Sequence, residues 1–349
     1  MTLMQHLTLA FLLVASFSLQ DDPAKLVDQL GSDDLELRDA AQAKLVTLGA
    51  GALVALEKGA KSDIDEIKSR CNHILSGFNY KNRAFVLTFS TLGDVGVARL
   101  TKELAARTDV EERRYIIEAL GLSKAEKAFA LIKAEAGSKD GETRRVAFEA
   151  LGNFSTKEAV DFLLANTKEP DVRYRKAILV ALGRTKSPAG IATIVAGLKD
   201  EPVKMACAEA LTAAACDATA DEIARGLDSD HAFTVQLCIS QLGRLKSKKH
   251  AAAIGRHVAG ADRTAAEALR ALGRIGEGAD LAKAALTRAP LVAAYAAEAL
   301  WRMGDKSGLP VLYKMLEGDA TSLAQERLRA MTGKDLGTDP AAWKAVLEK

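Results

Sequence analysis

The chain has 349 residues, 48% hydrophobic but only 5% aromatic, and its 48 basic and 46 acidic residues leave a formal charge of +2. That balance argues against the electrostatic footprint of a nucleic-acid or membrane-surface binder. Length alone would allow two domains, although a stack of repeats escapes that count because each unit packs only on its neighbours.

Residues 7–17 form an apolar run, Ser16-Phe17-Ser18 puts small residues at the spacing a signal peptidase prefers, and Asp21-Asp22 follow. The pattern predicts a signal peptide over residues 1–18, cut after about Ser18. It departs from the usual form because only His6, and no Lys or Arg, precedes the run. The alternative is an uncleaved apolar helix. The run falls short of the roughly 20 residues that span a bilayer, and no cysteine follows it to carry a lipid. The expectation is an exported chain, periplasmic or at the cell envelope, with no membrane span in its mature part.

Residues 23–78 read as an N-terminal group of helices. A short helix is predicted at 23–30, and a first repeat helix at 33–48 carries Asp34, Arg38, Ala41 and Leu45. Gly49 and Gly51 make the turn, and 63–75 is a second copy with Lys68 as its basic residue. The stretch 77–81 breaks the period, and Leu92 follows Leu75 too soon for a full helical pair. An odd helix is predicted at 82–92, with a module boundary near residue 79.

From there to residue 333 the sequence repeats. Leucines recur about every thirty residues, at Leu120, Leu151, Leu182, Leu211, Leu242, Leu272 and Leu300, a period that means stacked supersecondary units. Ala119, Ala150, Ala181, Ala210, Ala271 and Ala299 precede the anchors, small enough for helices to approach. Gly121, Gly152, Gly183, Gly243 and Gly273 follow them, and are expected to end helices in the left-handed conformation. Asp109, Asp140, Asp171 and Asp200 sit where helices should start, as caps. Four residues on, Arg113, Arg144, Arg175 and Lys204 share their face. Residues 334–349 are expected to form a capping helix, begun by Asp339-Pro340, with Trp343 covering the apolar end of the stack.

The Asp, Arg, Ala, Leu and Gly columns closely resemble the HEAT repeat, in the short bacterial form also seen in bilin-lyase-type proteins. The match covers about residues 33–331, and the closing stretch 327–343 resembles that of exported bacterial HEAT-repeat proteins. The resemblance implies an all-α, right-handed superhelical solenoid of about ten helical pairs. It also implies an Asp–Arg ladder between stacked repeats.

The residues give no chemistry. Cys71, Cys207 and Cys238 each lie four before an anchor leucine, a core-facing slot. Neighbouring helices stand roughly 8–10 Å apart and a disulfide tolerates Cα separations only to about 7 Å, so Cys207 and Cys238 are expected adjacent but unbonded. His250 and His257 are too far apart along a helix to share a metal. Deoxyhypusine hydroxylases, of HEAT-like fold, use His-Glu pairs for iron, and no histidine here precedes Glu. Nucleophile and phosphate-binding motifs are absent. No catalytic residue, metal or cofactor is assigned. The doublets Arg113-Arg114, Arg144-Arg145 and Arg175-Lys176 raise nucleic acid as a partner, but Glu111, Glu118, Glu142 and Glu149 neutralise the strip.

HEAT stacks line their concave side with the second helix of each pair. The slots two, six and nine before the anchor should face that groove. They read Glu111, Arg114 and Glu118, then Glu142, Arg145 and Glu149, then Arg173, Lys176 and Val180. Pro202, Met205 and Glu209 follow, then Phe233, Gln236 and Ser240. The groove turns apolar around residues 200–240, and a contact patch is predicted at Met205 and Phe233, with Arg145, Lys176 and Gln236. The competing reading is that these side chains pack on neighbouring turns. The expected function is a monomeric, non-enzymatic scaffold binding a protein or peptide in the groove. The alternatives are an enzyme or enzyme accessory of the bilin-lyase-like class, which would need a pocket of convergent polar groups, and a nucleic-acid binder.

Overall fold

The computed structural model describes residues 22–348, and among them every regular element is a helix. The signal segment expected at residues 1–18 lies outside the described residues. The chain forms two compact units that divide between Ala159 and Val160.

The first unit opens with α1 (Pro23–Gln29), α2 (Leu35–Leu48), α3 (Leu53–Gly59) and α4 (Asp65–Ser76). Asp34 starts α2 by accepting the backbone N–H of Glu36 at 2.8 Å. Leu35–Gly59, which joins α2 to α3, is long and apolar enough to cross a membrane by length and composition alone. Its Ala41, Leu45, Leu53 and Leu56 are buried, with α2 packed on α1 and α3 on α4. Next come α5 (Arg83–Thr88), α6 (Gly93–Ala106), α7 (Val110–Ser123), α8 (Glu126–Glu135) and α9 (Gly141–Leu151). The odd helix expected at 82–92 is α5, capped by Asn82, continued by a 3-10 turn at Phe89–Thr91. The interrupting segment is bolted down by its aromatics. Phe78 meets Phe85 and Phe89 edge-on at 5.2 and 5.9 Å, and Arg99, 6% exposed, donates to the Tyr80 hydroxyl, Glu57 and the Leu75 carbonyl.

Helix α10 (Lys157–Ala165) straddles the division. The second unit continues with α11 (Val172–Thr185), α12 (Pro188–Gly197), α13 (Lys204–Ala214), α14 (Ala220–Arg225) and α15 (Ala232–Arg244). It ends with α16 (Ala251–Gly255), α17 (Asp262–Ile275), α18 (Ala279–Ala285), α19 (Pro290–Arg302), α20 (Leu309–Leu316), α21 (Thr321–Thr332) and α22 (Pro340–Leu347). Among these, the odd-numbered helices from α7 to α19 carry the anchor leucines, all of them fully buried or nearly so.

The columns explain the helices, with three corrections. Asp109, Asp140 and Asp171 cap α7, α9 and α11 through side-chain acceptance of backbone N–H groups. Asp200 does not cap α13, which starts only at Lys204, because Glu201 precedes Pro202 and a residue before proline avoids helical dihedrals. Arg113 and Arg175 hold carbonyls where a ladder with the Asp column was expected. Arg113 donates to the Leu104 and Arg107 carbonyls at 2.7 and 2.9 Å and to Glu135 at 2.6 Å. Arg175 donates to the carbonyls of Glu169 and Pro170. Each of these two arginines thus fixes the loop that enters its own helix. The glycine column does not end helices in the left-handed conformation either: Gly152 follows α9 at φ −65°. Gly121, Gly183, Gly243 and Gly273 lie inside α7, α11, α15 and α17, and the left-handed positions fall three residues later, at Lys124, Lys186, Lys246 and Gly276.

At the C-terminal end, α22 lies on α20. Trp343 is fully buried with Leu312, Leu328 and Met331, and its indole N–H donates to the Gly337 carbonyl at 2.9 Å. A buried carboxylate ties α19 to α21: Glu298 accepts from Arg302 at 2.8 Å and from Arg327 at 2.9 Å.

Candidate partner-binding site

The glycine column is where one anchor-bearing helix meets the next. A Cβ on Gly121 would come within 2.7 Å of the Ala150 Cβ. On Gly183 it would lie 2.9 Å from the Ala210 carbonyl oxygen, on Gly243 2.6 Å from the Ala271 Cβ, and on Gly273 2.8 Å from the Ala299 Cα. Glycine on one helix and the alanine before the next anchor form the contact pair, and only these two residues let the backbones come so close.

Between α13 and α15 both members of the pair change. Thr212 stands at the glycine position and Gln241 at the alanine position. While α11 packs along α13, α15 along α17 and α17 along α19, the axes of α13 and α15 approach only at isolated points. Side chains bridge the gap instead. The Gln241 amide donates to the Thr212 hydroxyl at 3.3 Å, and Arg244 donates to the Thr212 carbonyl at 2.6 Å. Gln241 is 6% exposed, yet its Oε1 accepts no hydrogen bond. A buried acceptor left without a donor is costly, and such a group invites a ligand or a water. Beside it opens a cleft of 520 Å³ lined by Ala208, Glu209, Thr212, Ala213 and Arg244.

The predicted contact residues fall unevenly around this junction. Met205, on α13, is 61% exposed. Phe233, on α15, is half-buried, with the Lys204 ammonium 5.3 Å from its ring centroid and the His231 ring 6.4 Å away. These two therefore lie along the same loosened junction, linked through the neighbouring Lys204. Gln236 turns to the next helix and donates to the Thr264 hydroxyl of α17 at 3.0 Å. Lys176 is exposed on α11. Arg145 belongs to the first unit, where Glu142 and Glu149 hold it at 2.8 and 2.5 Å. Thr212, Gln241 and Arg244 were not singled out by sequence. The signal for the first two was there, as the place where both the alanine and the glycine columns lapse together.

Nothing at the junction resembles a nucleophile with its base. Cys71, Cys207, Cys216 and Cys238 are free, and burial pushes the Cys207 and Cys238 thiols up to about 12, the wrong direction for thiolate chemistry. One Ser–His–carboxylate chain exists elsewhere: Ser247 Oγ lies 2.8 Å from His250 Nδ1, and His250 Nε2 3.0 Å from Asp221. It is a turn contact, since Ser247 precedes the 3-10 turn that contains His250 and Asp221 is shared with Lys249 at 2.7 Å. Among the described residues no group of three or more His, Cys, Asp or Glu is placed to hold a metal ion.

Residues 97–183 match the sequence profile of HEAT repeats. No curated protein matches the chain. Among solved structures, human deoxyhypusine hydroxylase in complex with glycerol is similar at 15% identity and a TM-score of 0.31, over 77% of this chain and 99% of that one. The CpcE–CpcF complex of phycocyanin lyase from Nostoc is similar at 18% identity and a TM-score of 0.28, over 83% of this chain and 96% of that one. Yeast importin-beta is similar at 12% identity and a TM-score of 0.43, over 88% of this chain and 50% of that one. At such identities these likenesses assign no residue of this chain to a site.

Proposed function

We propose that this chain of HEAT repeats is a non-enzymatic scaffold, and that it seats a protein or peptide partner on the groove face of its anchor-bearing helices, at the α13–α15 junction. The observation that carries the reading is the paired loss of the Gly–Ala contact at Thr212 and Gln241. It opens a cleft and leaves Met205 61% exposed where neighbouring helices would otherwise close. An exposed methionine beside a half-buried phenylalanine is the composition of a contact seat. The buried Gln241 acceptor, left without a hydrogen bond, marks the junction as imperfectly closed. The same reading takes the chain as a monomer, exported on the strength of the residue 7–18 pattern, with no cofactor and no reaction of its own.

The test is photo-crosslinking in the native cell, with the crosslinker placed in turn at Met205, at Phe233 and at exposed Ala196 on α12. A discrete adduct of one mass from the first two positions, absent from Ala196, is expected. Equal labelling from all three, or none from Met205 and Phe233, overturns the reading.

A further inference from the structure

The loosened junction is also where a row of arginines begins. Two residues past the anchor stand Arg244, Arg274 and Arg302, on α15, α17 and α19 in succession. Because Gly243 and Gly273 press these helices together, the row is spaced by the helix separation of roughly 8–10 Å. Its charge is under-compensated. Arg244 donates to a carbonyl and, among the described residues, has no carboxylate partner within 4 Å. Arg274 is half-buried, and among the described residues it has no hydrogen-bond or carboxylate partner. Burial and then the nearby Arg270 pull its pKa below the usual guanidinium value, offset in part by Glu267 and Glu298. Glu298 is shared by Arg302 and Arg327, and Glu267 meets Arg270 at 3.5 Å through one oxygen while its other accepts no hydrogen bond.

Arginines in a last helical turn also complement the helix dipole, and that would explain one exposed cation per helix. It does not explain why Arg274 is half-buried beside Arg270 and Arg302 with Glu267 and Glu298 near but no carboxylate in direct contact, an arrangement that a carboxylate brought into contact would relieve.

Building on the partner-binding reading above, we propose that Arg244, Arg274 and Arg302 seat the carboxylates of an extended acidic peptide segment of the partner. An extended chain rises about 3.3 Å per residue, so an acid at about every third position meets each guanidinium in turn, and arginine suits bidentate carboxylate recognition. Glu209 lines the cleft beside Arg244 and would repel a continuous phosphate backbone, whereas a peptide with spaced acids avoids it.

The probe is a fluorescein-labelled peptide of about five Pro-Pro-Glu triplets, whose polyproline helix sets the acids roughly 9 Å apart. Fluorescence polarisation compares it with its Pro-Pro-Gln counterpart and with a single-stranded oligonucleotide of equal charge. Wild-type protein is expected to bind the Glu peptide, more weakly as salt rises, and to ignore the Gln peptide. Arg274→Gln should weaken binding about tenfold, a loss of about 1.4 kcal/mol, while Arg256→Gln, a rim variant on another face, should not. Among the described residues Arg274 makes no direct hydrogen bond or ion pair, so its variant should melt within a few degrees of the wild type. A merely structural arginine would move the melt and leave binding alone. Equal binding by Arg274→Gln, or tighter binding of the oligonucleotide, overturns the proposal. If the Phe233 adduct survives Arg274→Gln while the acidic peptide fails to bind, the scaffold stands and the acidic segment falls.

Discussion

Lys186 occupies a backbone position that side chains avoid, at φ 53°, as do Lys124 and Lys246 at φ 54° and 53°. The left-handed conformation costs a non-glycine residue roughly 1–2 kcal/mol, and Gly276 fills the equivalent position without that cost. Lys186→Gly is therefore expected to raise the unfolding free energy by about 1 kcal/mol in urea titrations. The cysteines make a second test at this scale. Burial raises Cys71 to about 11 and Cys207 and Cys238 to about 12, while an unfolded thiol ionises near pH 8.5. Their contribution to stability is complete below about pH 8.5 and declines as pH rises from there toward 11, because only the unfolded chain gives up the protons. At pH 8 a thiol reagent should label Cys216 alone in the native protein and all four cysteines in urea. Sequence gave the burial of three cysteines through their shared slot, but not their neighbours. A Cβ on Gly59, Gly197 or Gly226 would fall 2.6, 2.6 or 2.4 Å from the sulfur of Cys71, Cys207 or Cys238. That pairing is set by how two helices cross, which no single column reveals.

Among the helices, the contact pair of Gly273 and Ala299 gives the sharpest expectation. A methyl group on Gly273 would meet the Ala299 Cα at 2.8 Å, and backbone cannot yield as a flexible side chain does. Gly273→Ala should destabilise by about 1–3 kcal/mol, although alanine is the better helix former, as read from the thermal melt of the two proteins. An unchanged or raised melt would mean that the helices are not in such close contact. The helix starts at Asp109, Asp140 and Asp171 were legible because a cap acts within three residues of itself. Asp200 misled because Pro202 displaces the start of α13. The glycines were legible as a column but not as a contact, since the same residue serves a left-handed turn or a close approach. Only the next helix, about thirty residues on, decides between them.

For the molecule as a whole, the stack was readable because many copies agree, and its partner was not, because the seat lies where the copies disagree. Trp343 closes the second unit, fully buried. Trp343→Ala should cost about 3–5 kcal/mol and expose Leu312, Leu328 and Met331, seen as an earlier melt and dye binding at the C-terminal helices. The proposed seat stands or falls with the Thr212–Gln241 exception. The most direct measurement is partner capture through a crosslinker at Phe233 in a Thr212→Gly/Gln241→Ala double variant, which restores the contact pair of the other junctions. The double variant is expected to melt within a few degrees of wild type and to yield the adduct at about a tenth of the wild-type level or less. An undiminished adduct from a folded double variant would contradict the proposed seat.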